Sequence, residues 1–140
     1  MCYFYFITNQ YTNFMNSQFT KIVRILLGII LLLFGLNKLL PSPFIPLPEL
    51  PHEAGNFMAS LGSTGYVLKT LGVIEIGIAV LLLLKKWVAF ALIVLVPISL
   101  NILLFHLFLD VSGIGGALVV VILNTVLIFK HWPQYKSLFH

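Results

Sequence analysis

Apolar residues dominate four stretches of the chain, at 22–40, 66–84, 87–109 and 114–130, each bounded by charge, proline or glycine. A hydrocarbon layer about 30 Å thick is crossed by about 20 mainly apolar residues in helical form, and each stretch has close to that length. The last is shortest and uses Gly113 and Lys130 at its ends. Within each run the apolar residues are continuous and do not alternate as barrel strands do, so the pattern predicts helices.

The connections separate into two kinds. Only Lys85 and Lys86 join the second and third stretches, and Asp110, Val111, Ser112 and Gly113 join the third and fourth, so these pairs should turn back as neighbours. The first connection carries Pro41, Pro43, Pro46, Pro48 and Pro51, which rule out helix there. After it, Ala54, Phe57, Met58 and Leu61 recur at helical spacing, which fits a short interfacial helix ending near Gly62. A plain surface loop stays open as the alternative. The expected fold class is all-α: an integral membrane bundle of four antiparallel transmembrane helices with a Pro-rich outer loop.

Residues 1–20 form an uncharged tail ahead of a membrane domain at 21–140. The tail has no apolar core of signal-peptide length, and the first alanine of the chain is Ala54, so the first helix is expected to be retained as an anchor. Met15 is an alternative start. Cys2 lacks the preceding apolar segment of a lipoprotein signal.

Composition agrees with the pattern: 60% hydrophobic against 9% charged residues belongs in lipid. The basic residues are scattered between apolar blocks without a stripe of interleaved aromatics, which sets nucleic acid aside. With one cysteine there is no internal disulfide or paired-thiol chemistry. What the charge does supply is orientation. Lys21, Arg24, Lys85, Lys86, Lys130 and Lys136 fall at one end of the expected bundle and only Lys38 and Lys69 towards the other, which predicts a cytoplasmic (inner) membrane protein with both termini in the cytoplasm. The excess positive charge also attracts anionic lipid.

Polar groups at membrane depth are costly, so they are the main pointers to chemistry. Glu75 falls near the middle of the second stretch, Asn37 and Lys38 towards the outer end of the first, and Asn101 and His106 in the outer half of the third. Together these five are expected to form an outward-opening polar pocket. Each also has a structural reading: Glu75 as a protonated lock between helices, Lys38 as a snorkelling side chain, His106 as an interfacial residue. Counting from the turns, Asn101 is level with Asn124 on the fourth helix, so the two are expected to hydrogen-bond across the interface. Gly28 and Gly35 share one face of the first helix, and Gly72, Glu75 and Ala79 one face of the second, which predicts close packing around the carboxyl. Pro97 frees a carbonyl near Ile93. Ser99, Ile102, His106 and Asp110 follow one stripe, where the spacing of four lets Asp110 orient the His106 imidazole. No catalytic residue is assigned, since the chain lacks the nucleotide, zinc-protease and nucleophile-elbow motifs, and four scattered histidines predict no metal.

The runs RILLGIILLLFGLNKLLP at 24–41, GYVLKTLGVIEIGIAVLLLL at 65–84 and VLVPISLNILLFHLFLD at 94–110 resemble, in order and spacing, the DoxX-like family of small four-helix membrane proteins. The resemblance covers about 21–136, including the Pro-rich connection, and leaves the N-terminal tail outside. It implies a small membrane subunit of a redox system, as in thiosulfate:quinone oxidoreductase or an oxidative-stress complex with superoxide dismutase and a sulfurtransferase. The expected function is therefore an accessory subunit without catalysis of its own, with quinone as the ligand, and with a soluble or membrane redox protein or a second copy of the chain as partner. A small proton-coupled transporter working through Glu75 and a membrane assembly factor or chaperone are the alternatives.

Overall fold

The computed structural model describes residues 17–42, 44–46 and 49–137. The expectations for Cys2, Met15 and most of the N-terminal tail lie outside the described residues, as do Pro43 and Pro48. The described chain is all-helical: α1 (Ser17–Leu39), α2 (His52–Ser63), α3 (Val67–Leu83), α4 (Val88–Phe108), a 3₁₀ turn (Val111–Gly113), α5 (Ile114–Lys130) and α6 (Trp132–Lys136). Three spans, Gln18–Leu39, Val88–Phe108 and Val111–Lys130, are long and apolar enough to cross a membrane, which points to a multi-pass membrane protein. A fourth is reached if α2 and α3, bent by 87° relative to each other, count as one.

Local chemistry explains where the helices stop. α1 ends at Leu39 because Pro41 disfavours helical geometry at Leu40 before it. The right-angle turn between α2 and α3 passes through Gly65, whose φ of +74° lies in the left-handed region that only glycine enters freely. At the end of α3, Lys86 N–H donates to the Leu81 carbonyl (3.0 Å) and Lys85 N–H to that of Leu82 (3.2 Å), with Lys85 left-handed at φ 57°. This is the Schellman arrangement, in which glycine normally holds the position that Lys85 occupies here.

The apolar core joins all four long helices. Leu27 and Leu31 of α1 meet Ile78, Ala79 and Leu82 of α3, Ala91, Leu92 and Leu95 of α4, and Leu127 of α5. α1 packs most extensively on α3 and α4 on α5, while contacts of α1 with α5 and of α3 with α4 close the ring. Apolar side chains also face outwards along these helices, among them Ile22, Leu33, Val73, Phe90, Leu100 and Ile122. For a chain in lipid this outer surface needs no further burial.

Small residues set the closeness of α1 and α3. A Cβ on Gly72 would stand 2.8 Å from the Gly35 carbonyl oxygen, and one on Gly35 would stand 2.9 Å from that of Gly72. At Gly28 an added Cβ would press on the Leu83 side chain at 3.0 Å. Gly77, on the same helix as Gly72, has open space around it. Gly72→Ala should therefore lower stability by about 1–3 kcal/mol through overpacking against backbone, whereas Gly77→Ala should be neutral or slightly stabilising. Thermal unfolding of the two variants in detergent checks this directly, and equal effects would contradict the crossing.

Candidate functional site

Glu75 lies at the centre of α3 and is 1% exposed. Its partner is Lys38, whose Nζ donates to Oε2 at 2.7 Å. The path of the lysine depends on Gly72, since a Cβ there would meet Lys38 Cβ at 3.2 Å: the missing side chain leaves room for the lysine stem to cross α3 and reach the carboxyl. Lys38 thus turns its amino group to Glu75, and the carboxyl is held by an ammonium rather than by a backbone carbonyl and an amide. The lysine side chain keeps 22% exposure and belongs to the last turn of α1, next to the Pro-rich connection.

The neighbouring Asn37, 6% exposed, faces another task. Its Oδ1 accepts from Ile45 N–H at 3.0 Å and its Nδ2 donates to the Ile45 carbonyl at 3.3 Å. One amide thereby satisfies both backbone groups of a residue in a segment that cannot form helix, and fixes the Pro-rich connection over the end of α1.

At the other polar cluster, His106 Nδ1 lies 3.1 Å from Asp110 Oδ2 and 3.1 Å from the Asp110 carbonyl. Both partners are acceptors, so Nδ1 carries a proton and donates it towards Asp110. Asp110, 2% exposed, also accepts from Ser112 Oγ–H at 2.5 Å. That hydroxyl, followed by the His106 charge and Gly113 N–H, holds the Asp110 carboxyl below the usual aspartate range against the opposing effect of burial. A Cβ on Gly113 would collide with the carboxylate and the imidazole, so glycine is required for this close approach. Phe105 meets the His106 ring edge-on at 5.1 Å, and Phe57 of α2 meets Phe105 at 5.8 Å, tying the short helix to the end of α4.

The five residues expected to share one pocket therefore divide among separate partners, and one faces away. Asn101 is exposed and donates through Nδ2 to the Pro97 carbonyl on its own helix at 2.8 Å. The expected bond between Asn101 and Asn124 is absent, and Asn124 Oδ1 is buried without a partner. The reason is rotation. The buried face of α4 carries Ala91, Leu92, Leu95 and Ser99, and a residue two positions beyond Ser99 points to the far side. Equal depth brought the two asparagines level but not face to face. Asn124 instead lines an apolar cavity between α4 and α5, of about 230 Å³, with Ser99, Leu103 and Val121. The packing residues Gly28, Gly35, Gly72 and Ala79 all lie at the α1–α3 contact.

Three contributors were not anticipated. Ser112 sits two residues after Asp110, a spacing at which a hydroxyl commonly bonds an aspartate in a turn, so the signal was present. Arg24, two residues inside the apolar part of α1, donates to the Leu82 carbonyl and, at 3.4 Å, to that of Leu83, capping the end of α3. Tyr135 of α6 donates to the Ala89 carbonyl at 2.8 Å, and burial pushes its phenol up from the ordinary tyrosine value. Nothing local announces the last two, because both bonds join residues far apart in the chain. No family model matches this chain, and no curated protein and no solved structure matches it either.

Removing one partner of a buried ion pair strands the other, whereas replacing both with apolar groups is close to neutral. Lys38→Met and Glu75→Gln should each lower stability by about 3 kcal/mol, and Lys38→Met with Glu75→Leu should recover most of it, as measured by unfolding in detergent. At the second cluster the folded carboxyl of Asp110 titrates below its unfolded value of about 3.9. Its stabilisation is complete above that value and is lost as pH falls through the lower, folded one. Helicity followed from about pH 5 to pH 2 should show an acid limb that Asp110→Asn reduces; an unchanged limb would contradict the assignment.

Proposed function

We propose that this chain is an accessory subunit of a membrane redox system, of the DoxX-like type, in which the Lys38–Glu75 pair handles a proton for a quinone-linked partner. The pair itself carries this reading. An ionisable group at the centre of an apolar helix is a functional position by default, and here it is joined to a partly exposed lysine in the last turn of α1. A carboxylate and an amine in contact can pass a proton between a buried point and that end of the helix, which is what oxidation or reduction of a quinone at a membrane surface demands. Catalysis of electron transfer would rest with the partner.

The proposed setting is four antiparallel transmembrane helices in the cytoplasmic membrane. Lys21, Arg24, Lys85, Lys86, Lys130 and Lys136 lie at the start of α1, the α3–α4 turn and the end of α5 and beyond, and this bias supports placing that end and both termini in the cytoplasm. α2 then lies at the outer interface, with the Pro-rich connection beside it. The similarity of 24–41, 65–84 and 94–110 to DoxX-like sequences supports the same assignment.

The test is quinone-dependent redox activity of native membranes carrying the wild-type chain, Glu75→Gln or Lys38→Met, with co-purification of the partner followed in parallel. Loss of a proton-transferring group should lower the activity on the order of a hundredfold while the partner stays bound. Wild-type activity in both variants, at equal protein levels, would overturn the proposal.

A further inference from the structure

The start of α1, the α3–α4 turn and the end of α5 enclose a cavity of about 370 Å³ with a cationic wall. Lys21 and Arg24 come from α1, Lys85 from the turn, and Lys130 and His131 from the end of α5, over a floor that includes the buried Val88. We propose that this cavity binds the phosphate group of an anionic membrane phospholipid. The inference rests on the chain lying in a membrane and is independent of the redox reading.

Charge balance is the first argument. The four acidic residues of the chain are Glu49, Glu53, Glu75 and Asp110. Glu75 pairs with Lys38, Asp110 with His106, and Glu49 and Glu53 belong to the connection at the opposite end. No acidic side chain is left to neutralise this wall, and among the described residues Lys21, Lys85 and Lys130 form no ion pair. Several like charges held around one cavity repel each other unless an anion lies between them.

The second argument is how the side chains of the wall are held. Arg24 spends part of its guanidinium on the Leu82 and Leu83 carbonyls, which fixes it at the rim and leaves further N–H donors. His131 Nδ1 donates to the Leu127 carbonyl at 2.9 Å, which fixes its ring. Lys85 occupies a left-handed position, φ 57°, where glycine would be less strained. A side chain kept at such a position points to a use for the side chain.

The third argument selects lipid over dissolved phosphate. Both tryptophans of the chain stand at this end, Trp87 (77% exposed) at the start of α4 and Trp132 at the start of α6. Exposed tryptophan marks the headgroup level of a bilayer. Ile22 and Phe129, both exposed, adjoin Lys21 and Lys130 and offer apolar surface to acyl chains. A basic pocket between helix ends at headgroup depth is suited to a phosphodiester.

The two tryptophans also report on the site. The full-length protein is reconstituted in phosphatidylcholine vesicles, and tryptophan quenching is compared for brominated phosphatidylglycerol and brominated phosphatidylcholine. Phosphatidylglycerol should be preferred about tenfold or more, and Lys130→Gln should weaken that preference about fivefold. Lys85→Gly should weaken it equally while leaving thermal stability unchanged or higher, so that lost binding is distinguishable from lost fold. Lys86→Gln, in the same turn but outside the cavity wall, removes an exposed charge screened by solvent and salt and should change the preference less, about twofold at most. The same loss from Lys86→Gln as from Lys85→Gly would overturn the site, as would equal quenching by the two lipids. Displacement by millimolar inorganic phosphate would overturn the lipid assignment in favour of a soluble phosphate.

Discussion

The close crossing of α1 over α3 at Gly35 and Gly72 is the constraint on which the polar interior depends. In lipid, burial of apolar surface does not favour helix association, so contact rests on close van der Waals approach and hydrogen bonds, and small residues supply the first. Here each glycine faces the other's carbonyl oxygen with no room for a methyl group. The same absence of a side chain at residue 72 opens the course that Lys38 follows to Glu75. Packing and charge pairing are therefore a single arrangement: a wider separation would lengthen the reach of the lysine and leave a carboxyl at the centre of an apolar helix without its ammonium.

Away from that crossing the two ends of the molecule treat polarity differently. At the proline end, polar side chains are consumed internally. Asn37 closes the connection on Ile45, and Asp110 collects His106, Ser112 and the neighbouring backbone. At the basic end, Arg24 and Tyr135 cap or tie backbone carbonyls while Lys21, Lys85 and Lys130 face a shared cavity. A chain with twice as many basic as acidic residues places its acidic groups, with Lys38 and Lys69, in the middle and towards one end, and its other six basic residues at the other end. The surplus is thus local, and its natural counterion in a bilayer is a lipid headgroup.

Residues coupled through short stretches of chain were the legible part of the site. The spacing of four between His106 and Asp110 brings carboxylate and imidazole together on one helix end, whatever the neighbouring helices do. Gly28, Gly35, Gly72 and Ala79 could be assigned to one contact because each pair lies on a common helical face. Asn101 shows where such reasoning fails: its depth along α4 followed from counting residues, but its outward direction follows from which face of α4 meets α5. The stripe through Ser99 and His106 already excluded Asn101 from the inner face, and depth was the weaker guide.

By itself the sequence determined the apolar runs, their helical form, the breaks at Pro41, near Gly62 and at the Lys85–Lys86 turn, and the uneven distribution of basic residues. All of these depend on local composition and periodicity, which act within one helical turn or one connection. Only the tertiary structure decided that Lys38 meets Glu75, that Asn124 Oδ1 is left unpartnered, that Arg24 caps α3, and that lysines from three segments surround one cavity. Those outcomes depend on the rotation and separation of helices about their axes. Side chains of similar hydrophobicity surround α3, α4 and α5, so periodicity alone carries little record of which of their faces turns inwards.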